Sequence, residues 1–413
     1  MLLGLLGLWL PDEEKVNGLD LFYRPTWVEI SLDALRHNLQ EFRGAMPQDC
    51  RLMASVKANA YGHGAVEVAR EAERFGVDYL GVAFLDEALQ LRKAGIRTPI
   101  LVLGFVAPDA LSVARDSDVT ISLFRKDVIE AAAKLPLDET GKKLKAHIKI
   151  DTGMGRLGVL GKDAAIAFIE AALSVPQLMI EGMFTHFASA DEADKTYTKL
   201  QVDRFREITD YMEKKGISIP IIHAANSAAG IDTPDWAGGM LRLGISMYGL
   251  YPSVEVNRQR IKLEPVMALK TEVVMVKNAP EGWGISYGTR YKAEEGERIG
   301  TLPIGYADGY SRMLTGKAHG LVRGVKTPIR GTICMDQCMI SLDSVAAGAG
   351  DAPVETGEEV VLIGRQGDAV ITAEEVADQL GTLNYEVTCM LANRVPRVYV
   401  KGGRIAAVRN PLA

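Results

Sequence analysis

The sequence has few cysteines, no blocks of like charge and few aromatic residues, and these absences exclude several classes of protein. Its 413 residues include four cysteines, none of them in a CxxC pair, which argues against a disulfide framework or a zinc site and indicates a reducing compartment. Charged residues make up 24% of the chain and the formal net charge is −6, without a basic stretch that would suit nucleic acid. We therefore expect buried free thiols, no metal and no nucleic-acid partner.

A long apolar run is also missing. The N-terminal stretch "MLLGLLGLWL" has ten residues, whereas a membrane-spanning helix needs about 20. No basic residues precede it, acidic residues follow it, and it has no cleavage site of small residues, so it does not resemble a signal peptide. We interpret residues 1–19 as an apolar extension and predict a cytoplasmic protein with no membrane partner.

Between residues 51 and about 250, short apolar runs alternate with amphipathic stretches, a pattern typical of a parallel sheet with crossover helices. The candidate strands are 52–56, 79–83, 100–103, 119–123, 146–150, 179–184, 220–224 and 240–247. Eight strands with helices between them favour a (β/α)8 TIM-type barrel over an open sheet. In that fold, functional residues follow the C-terminal ends of the strands.

After "YPS" the pattern changes to β-branched runs separated by glycine, proline and asparagine turns, which predicts a mostly β domain. One helix is expected at 372–381, where Thr372 and Glu375 stand in the order of a capping box. We assign residues 31–255 to the barrel and 256–413 to the β domain, and expect residues 20–30 to pack onto the β domain.

The pattern G-x-G-x-x-G occurs at Gly153, Gly155 and Gly158, after the fifth candidate strand. In a dinucleotide-binding unit such glycines open the first long helix and lie against the pyrophosphate. Here the unit is the fifth of eight, and Arg156 would crowd the pyrophosphate. We favour a glycine-rich loop that shapes a pocket, with Arg156 directed into it, over a dinucleotide site.

The turn "KANAYGHG" follows the first candidate strand and begins with Lys57. A lysine at the C-terminal end of a barrel strand suits Schiff-base chemistry if burial or a nearby cation lowers its pKa. A strand-end lysine is more often a salt-bridged residue, and Tyr61, Gly62 and Gly64 are also ordinary residues for a turn. Position alone therefore leaves the role of Lys57 open.

Nine motifs settle the interpretation when they are taken in order. They are "VKANAYGHG", "KIDTGMGRLG", "THFASAD", "HAANSAAG", "RLGISMYGLYPS", "GISYGTRY", "PIGYADGYSR", "GTICMDQCMI" and "NYEVTCMLANRVPRVY". In order and spacing they resemble the alanine racemase family, from about residue 27 to residue 400. The resemblance implies an isomerase with a pyridoxal-phosphate-binding barrel and a β domain, which interconverts L- and D-alanine and supplies D-alanine for peptidoglycan.

By this resemblance, Lys57 matches the lysine that forms the internal aldimine with pyridoxal 5'-phosphate, and Tyr287 matches the opposing catalytic tyrosine. Inversion at Cα needs a base on one face and an acid on the other, so the implied mechanism uses two bases. His186 and Arg242 match residues that would favour the tyrosine phenolate, and Arg242 also matches the donor to the pyridine nitrogen.

The resemblance implies further contacts and a dimer. Residues matching cofactor contacts at the phosphate are Tyr61, Ser227, Gly244, Ile245 and Tyr385; those matching substrate and pocket positions are Arg156, Met335, Tyr306 and Asp336; and Lys149 matches a lysine that is carbamylated in some members. Family members are head-to-tail homodimers with shared active sites. Lys57 and Tyr287 of one site are therefore expected to come from different chains.

Three other functions remain open from the sequence. The first is a racemase for serine or a broader range of amino acids. The bulk of Tyr306, Met335 and Tyr385 argues against it, because it favours a substrate with a small side chain. The second is a decarboxylase of the same barrel type, to which the tyrosine motif is a poor match. The third is a non-catalytic pyridoxal-phosphate-binding protein. Such barrels generally lack a β domain with a second base, so Tyr287 weighs against it.

Overall fold

The structure is a computed structural model that describes residues 19–136, 141–346 and 352–413. Residues 1–18 of the predicted apolar extension lie outside the described residues. Contacts between residues divide the chain into two compact units. Of the described residues, 34–60 and 65–264 belong to the barrel unit, and 19–33, 61–64 and 265–413 belong to the β unit.

The strands and helices are numbered in chain order. The strands are β1 Thr26–Ser31, β2 Arg51–Ser55, β3 Tyr79–Val82, β4 Ile100–Val102, β5 Val119–Leu123, β6 Leu144–Asp151, β7 Val159–Leu160, β8 Leu178–Phe184, β9 Ile221–His223, β10 Met240–Leu243, β11 Met267–Glu272, β12 Met275–Asn278, β13 Gly284–Ile285, β14 Tyr291–Lys292, β15 Arg298–Leu302, β16 His319–Val322, β17 Val325–Arg330, β18 Cys338–Ser341, β19 Glu359–Gln366, β20 Ala369–Ile371, β21 Arg397–Lys401 and β22 Arg404–Arg409. The right-handed α-helices are α1 Leu32–Ala45, α2 Ala65–Phe75, α3 Leu85–Lys93, α4 Leu111–Asp116, α5 Lys126–Ala133, α6 Lys162–Leu173, α7 Thr196–Lys214, α8 Ser227–Asp232, α9 Asp343–Ala346, α10 Ala373–Leu380 and α11 Asn384–Cys389.

The barrel unit is a nearly closed parallel sheet in the order β10-β2-β3-β4-β5-β6-β8-β9, and β7 pairs with β6 at one side. Strands such as β3, β4 and β5 are buried along their whole length, which explains why they read as continuous apolar runs. The predicted (β/α)8 barrel is confirmed. The predicted strand 240–247 is wrong in its second half, because Gly244 leaves the extended conformation and Ile245–Tyr248 form a 3₁₀ turn.

The β unit is organised around a sheet in the order β12-β15-β18-β17-β16-β19-β11-β1-β21-β22, with β20 paired to β19. The N-terminal strand β1 pairs antiparallel with β11 and parallel with β21. Helix α10 begins where it was predicted, since the Thr372 side chain accepts a hydrogen bond from the Glu375 N–H (3.0 Å). The largely β character of the C-terminal half is confirmed.

The cysteines are free thiols, but they do not share one environment. Cys50 and Cys338 are buried, Cys334 is half-buried and Cys389 is exposed at the end of α11. The expectation of four buried thiols is therefore wrong for Cys389, because the last residue of this short helix faces solvent, and only partly right for Cys334. Within the described ranges, no helix is both long and apolar enough to cross a membrane.

Candidate active site

The predicted polar residues of the barrel unit gather at one edge of the sheet, the C-terminal ends of the strands. Lys57 follows β2, Lys149 lies in β6, Arg156 lies in the loop after β6, His186 follows β8, Ser227 begins α8 after β9, and Arg242 lies in β10. This is the edge at which (β/α)8 barrels carry their functional groups. Four of these side chains are cationic, so the edge has a positive electrostatic field.

The turn after Lys57 has an uncommon backbone. Ala58–Tyr61 have φ between 51° and 53°, in the left-handed region. This conformation costs an L-residue roughly 1–2 kcal/mol, so four in succession form only where the surroundings hold them. The turn moves the chain away from the axis of β2 directly after the lysine, and Lys57 itself is half-buried.

Two side chains of the barrel unit hold this turn. Glu87 Oε1 accepts a hydrogen bond from the Ala58 N–H (2.7 Å), and its Oε2 accepts one from the Ala83 N–H (2.7 Å) near the start of α3. Asn59 Oδ1 accepts one from the Ala65 N–H (2.9 Å) at the start of α2. The residue after Lys57 is therefore fixed by a carboxylate from the neighbouring βα unit.

Arg242 is the centre of the site within the barrel. It is 5% exposed and donates from Nη1 to His223 Nδ1 (2.9 Å). From Nη2 it donates to His186 Nδ1 (3.1 Å), the Thr185 carbonyl (2.8 Å) and the Ala224 carbonyl (2.7 Å). Among the residues that the structure describes, no carboxylate forms a salt bridge with it.

These contacts determine where the imidazole protons lie. A guanidinium only donates, so His223 Nδ1 accepts and its proton resides on Nε2. From Nε2 it donates to His147 Nδ1 (3.0 Å), which leaves the His147 proton on its own Nε2. By the same argument, His186 carries its proton on Nε2.

The three histidines of this site, His147, His186 and His223, are neutral. Burial, and next the Arg242 charge, lower the pKa of His147 to about 3. The same two causes hold the pKa values of His186 and His223 well below the usual value. Arg242 thus rests on neutral acceptors, and burial lowers its own pKa, with the Arg156 charge acting in the same direction.

Lys149 is the second buried cation of the barrel edge. It is 5% exposed, and its Nζ lies 5.3 Å from the ring centroid of Phe184 and 3.5 Å from the Leu103 carbonyl. Burial, followed by the charges of Arg156 and Arg242, lowers the pKa of Lys149 to about 8. A large fraction of this amine is therefore deprotonated at mildly basic pH.

A polar cradle follows the last two barrel strands. The Gly244 N–H donates to Ser227 Oγ (2.8 Å), and Ser227 is the first residue of α8. Asn226 caps that helix by accepting from the Ala229 N–H (3.1 Å). A hydroxyl, backbone amides around Ile245 and a capped helix start suit an anion.

In the β unit, Tyr61 lies beside Tyr385. The two ring centroids are 6.3 Å apart at a tilt of 49°, and Tyr61 is 8% exposed. Tyr61 reaches this environment because the segment Tyr61–Gly64 belongs to the β unit, although its neighbours in sequence belong to the barrel.

Tyr287 lies on a short 3₁₀ turn of the β unit and is 74% exposed. Its carbonyl accepts a hydrogen bond from Thr332 Oγ1 (2.9 Å). The preceding residue, Ser286, has φ of 67°. Its Oγ donates a hydrogen bond to the Thr332 carbonyl and lies 3.2 Å from Cys334 Sγ. The turn is thereby attached to the segment that carries Met335.

Tyr306 and Met335 are neighbours in the β unit. The Tyr306 N–H donates to the Cys334 carbonyl (3.0 Å), and the Ala307 N–H donates to the Met335 carbonyl (3.0 Å). Asp336, the next residue, accepts from Arg394 Nη2 (2.8 Å). The structure therefore brings Tyr287, Tyr306, Met335 and Asp336 to one region of the β unit.

The glycine-rich loop does not bind a dinucleotide in the Rossmann manner, because its glycines open no helix. The loop runs from β6 into the short strand β7, and α6 begins only at Lys162. Gly153 and Gly155 donate their N–H groups to Asp151 Oδ1 (2.9 and 3.1 Å), and a Cβ on Gly158 would lie 2.5 Å from the Asp151 nitrogen. The loop is a tight turn that carries the exposed Arg156.

Three polar residues of the site were not singled out from the sequence: His147, His223 and Glu87. The two histidines lie within apolar strands, and a histidine at an inward barrel position was the available signal. Glu87 looks like an ordinary acidic residue in the first turn of α3, and nothing in the sequence indicates that it contacts Ala58.

Fold and site together define a (β/α)8-barrel protein with a strand-end lysine and four basic side chains at the C-terminal edge of its sheet. The family model for the alanine racemase N-terminal domain matches residues 30–252, and the model for the alanine racemase C-terminal domain matches residues 266–399. The chain belongs to the alanine racemase family.

Individual relatives match over nearly the whole chain. An alanine racemase of Clostridium tetani is 45% identical over 393 residues, which are 94% of this chain and 98% of the relative. An alanine racemase of Methanococcus maripaludis is 43% identical, over 91% of this chain and 99% of the relative. The crystal structure of alanine racemase from Bacillus anthracis with bound L-Ala-P has a TM-score of 0.88 and 42% identity, and covers 95% of this chain and 99% of that chain.

Proposed function

We propose that the protein interconverts L- and D-alanine with pyridoxal phosphate as its cofactor, in the cytoplasm, and supplies D-alanine for peptidoglycan. The observation that carries the proposal is the buried Arg242, which rests on neutral imidazoles at the same barrel edge as Lys57. Relatives named alanine racemase at 43–45% identity support the choice of alanine.

The residues present fit this cofactor. Its phosphate and ring oxygen are anionic, and the barrel edge offers Lys57, Lys149, Arg156 and Arg242, whose charges act on the same buried His186. Residues that would hold the cofactor are Lys57 through a covalent bond from Nζ, Arg242 at the ring nitrogen, and Tyr61, Ser227, Gly244, Ile245 and Tyr385 at the phosphate. When bound, pyridoxal phosphate supplies an electron sink that makes the Cα–H bond of an amino acid acidic.

Arg242 would limit that electron sink. Arg242 would donate to the ring nitrogen and, because a guanidinium stays protonated and cannot accept a hydrogen bond, would keep that nitrogen unprotonated. His223 and His186, which accept hydrogen bonds from Arg242, are neutral and do not compensate its charge. This arrangement favours return of a proton to Cα over side reactions that need a more electron-deficient ring.

Two side chains would move the proton at Cα. Lys57 serves the face from which the D-alanine proton leaves, and Tyr287 serves the face from which the L-alanine proton leaves. An isolated tyrosine has a pKa of about 10 and is a slow base at neutral pH. His186, backed by the Arg242 cation, would donate from Nε2 to the Tyr287 oxygen and stabilise its phenolate.

The proposal includes a homodimer in which each site takes Tyr287 from the second chain. In the single chain Tyr287 is 74% exposed and Met335 is 52% exposed. A proton-transfer site must exclude water, and exposure of these side chains supports their burial against a second copy.

Substrate selection belongs to the same proposal. Arg156 and Met335 would contact the substrate carboxylate region, and Tyr306 and Asp336 would line the pocket and its entrance. The lowered pKa of Lys149 makes its amine reactive toward carbon dioxide, and a carbamate there would pair with Arg156. Serine racemisation is the alternative, which the bulk of Tyr306 disfavours.

Exchange of the Cα proton with deuterium from solvent, followed by NMR for each enantiomer, tests the two roles. Lys57→Ala should lower racemisation by at least about 100-fold. Tyr287→Phe should also lower it, in both directions, while exchange persists on D-alanine and is lost on L-alanine. Lys162→Ala on the surface of α6 is the control. Rapid exchange on L-alanine in Tyr287→Phe, or faster turnover of L-serine than of L-alanine by the unaltered protein, would contradict the proposal.

A further inference from the structure

The segment Tyr61–Gly64 is held by two side chains of strand β21. Arg397 Nε donates to the Gly62 carbonyl (3.2 Å), and Tyr399 Oη donates to the His63 carbonyl (3.0 Å). Arg397 is 3% exposed and Tyr399 is 1% exposed. Both bonds span more than 300 residues of sequence and lie within the β unit.

Arg397 joins this segment to a second loop. Its Nη1 donates to the carbonyls of Ala392 (2.6 Å) and Val395 (2.7 Å), and its Nη2 donates to the Leu391 carbonyl (2.7 Å). All the acceptors are backbone oxygens. A planar guanidinium with five donors can serve four carbonyls in fixed directions, which a lysine cannot do.

The segment also packs so closely that it requires glycine. Gly62 has φ of 86°, and a Cβ there would lie 2.1 Å from the Thr388 carbonyl oxygen. Gly64 has φ of 95°, and a Cβ there would lie 1.8 Å from Tyr399 Oη. Thr388 lies in α11, the helix that carries Tyr385, so both tyrosines proposed at the phosphate depend on the same packing.

The left-handed stretch Ala58–Tyr61 needs such anchoring. A backbone segment in a strained conformation persists only where contacts with the surrounding structure hold it in place. Glu87 fixes the first end at Ala58, and Arg397 and Tyr399 fix the residues directly after Tyr61.

We propose that Arg397 and Tyr399 are positioning residues that hold Tyr61 in the conformation that binds the cofactor phosphate. The inference rests on the proposed function. If the anchored conformation becomes less populated, the apparent dissociation constant rises in inverse proportion to that population. Cofactor affinity therefore depends on β21, whereas the turnover of fully loaded enzyme does not.

The test is Tyr399→Phe, which removes one hydroxyl from a buried ring. Full-length apoprotein is titrated with pyridoxal phosphate and followed by absorbance, and kcat is measured at saturating cofactor. Loss of one buried hydrogen bond should weaken cofactor binding by about two- to tenfold and leave kcat within about twofold. Tyr251→Phe is the control on a half-buried tyrosine and should bind normally; it removes a hydroxyl that donates to the Ile261 carbonyl (2.9 Å) and accepts from the Leu263 N–H (3.3 Å).

Two further variants sharpen the result. Arg397→Lys should weaken cofactor binding more than Tyr399→Phe, because one ammonium replaces a donor to four carbonyls. Gly64→Ala should weaken it as well, and by a smaller factor in the Tyr399→Phe background, where the atom nearest to the added Cβ is gone.

Unchanged cofactor affinity in Tyr399→Phe would overturn the inference, even if the melting temperature falls, since a purely structural role lowers only stability. An equal fall of kcat at saturating cofactor would also overturn it. If Arg397→Lys does not fold, Tyr399→Phe decides the matter alone. Failure of the proposed function is seen separately, in unaltered protein that binds no pyridoxal phosphate or does not racemise alanine.

Discussion

Each of the two units has a centre built on a buried charged side chain, Asp308 in the β unit and Arg242 in the barrel unit, and the two centres differ in how that charge is compensated. In the β unit, the buried Asp308 accepts from Arg24 Nη1 (2.8 Å) and lies 3.0 Å from Arg394 Nε. In the barrel unit, Arg242 has two imidazoles and two carbonyls as partners. One centre is an ion-pair cluster, and the other is a buried cation on neutral acceptors.

The difference separates a structural centre from a functional one. At the Asp308 centre, the carboxylates of Asp308 and Asp336 compensate the charges of the two arginines. At Arg242 the charge is not compensated by the chain and is available to a ligand. A buried cation without a counter-ion destabilises the folded state, and proteins retain such groups mainly at functional sites.

Removal of Asp308 should have the largest effect on stability. Asp308→Ala leaves Arg24 and Arg394 without their buried carboxylate and the Gly305 N–H without its acceptor (3.0 Å). Loss of a buried carboxylate that accepts charge-assisted hydrogen bonds costs about 1.5–3 kcal/mol when the remaining guanidinium groups stay accessible to water, as those of Arg24 and Arg394 do. We expect a fall of that size in the free energy of unfolding, measured with urea.

Asp336→Asn is the matched control, because Asp336 pairs with the same Arg394 but its side chain is 54% exposed. Exposed pairs contribute at most about 1 kcal/mol. Equal effects of the two substitutions would show that burial of Asp308 does not distinguish the two pairs.

The neutral histidines of the Arg242 centre predict a pH dependence. In the unfolded chain His147 and His223 bind protons below about pH 6.5, whereas in the folded protein burial and Arg242 keep their pKa values far lower. The unfolded state then binds more protons, so stability falls as the pH falls. Between pH 7 and pH 6 each histidine should cost roughly 0.7 kcal/mol.

His147→Gln isolates this contribution from that of the carboxylates. The glutamine can still accept from His223 Nε2, but it does not titrate. Urea unfolding at several pH values should show a shallower decline for the variant, by about 0.7 kcal/mol over this pH unit. Parallel curves would mean that His147 is not neutral in the folded protein.

The sequence predicted the barrel because strands buried on both faces are continuous apolar runs, and it predicted α10 because Thr372 and Glu375 form a local cap. These signals are local in the chain. The end of β10 was missed, since Gly244 changes the backbone direction inside an apolar run. Apolarity alone does not distinguish a strand from a buried 3₁₀ turn.

Long-range contacts of the site were beyond sequence reasoning. His147 and His223 are 76 residues apart, and Arg397 and Gly62 are 335 apart. Arg242 was named only through resemblance, and resemblance alone decided the role of Lys57, but a resemblance carries no information about tautomers or acceptors. The charge balance of the Arg242 centre depends on those acceptors, which only the three-dimensional structure identifies.

A pair of substitutions at His223 tests the comparison of the two centres directly. His223→Glu places a carboxylate beside Arg242 and makes this centre similar to that of Asp308, whereas His223→Gln keeps a neutral acceptor of the same size. A charge one hydrogen bond from the guanidinium changes the field at a partly buried site by on the order of 1 kcal/mol. The kcat/KM for alanine should therefore be about fivefold lower in His223→Glu than in His223→Gln. Unfolding should show the reverse order, with His223→Glu the more stable, because its carboxylate compensates a buried cation. Equal kcat/KM values in the two variants would show that activity does not depend on an uncompensated charge on Arg242.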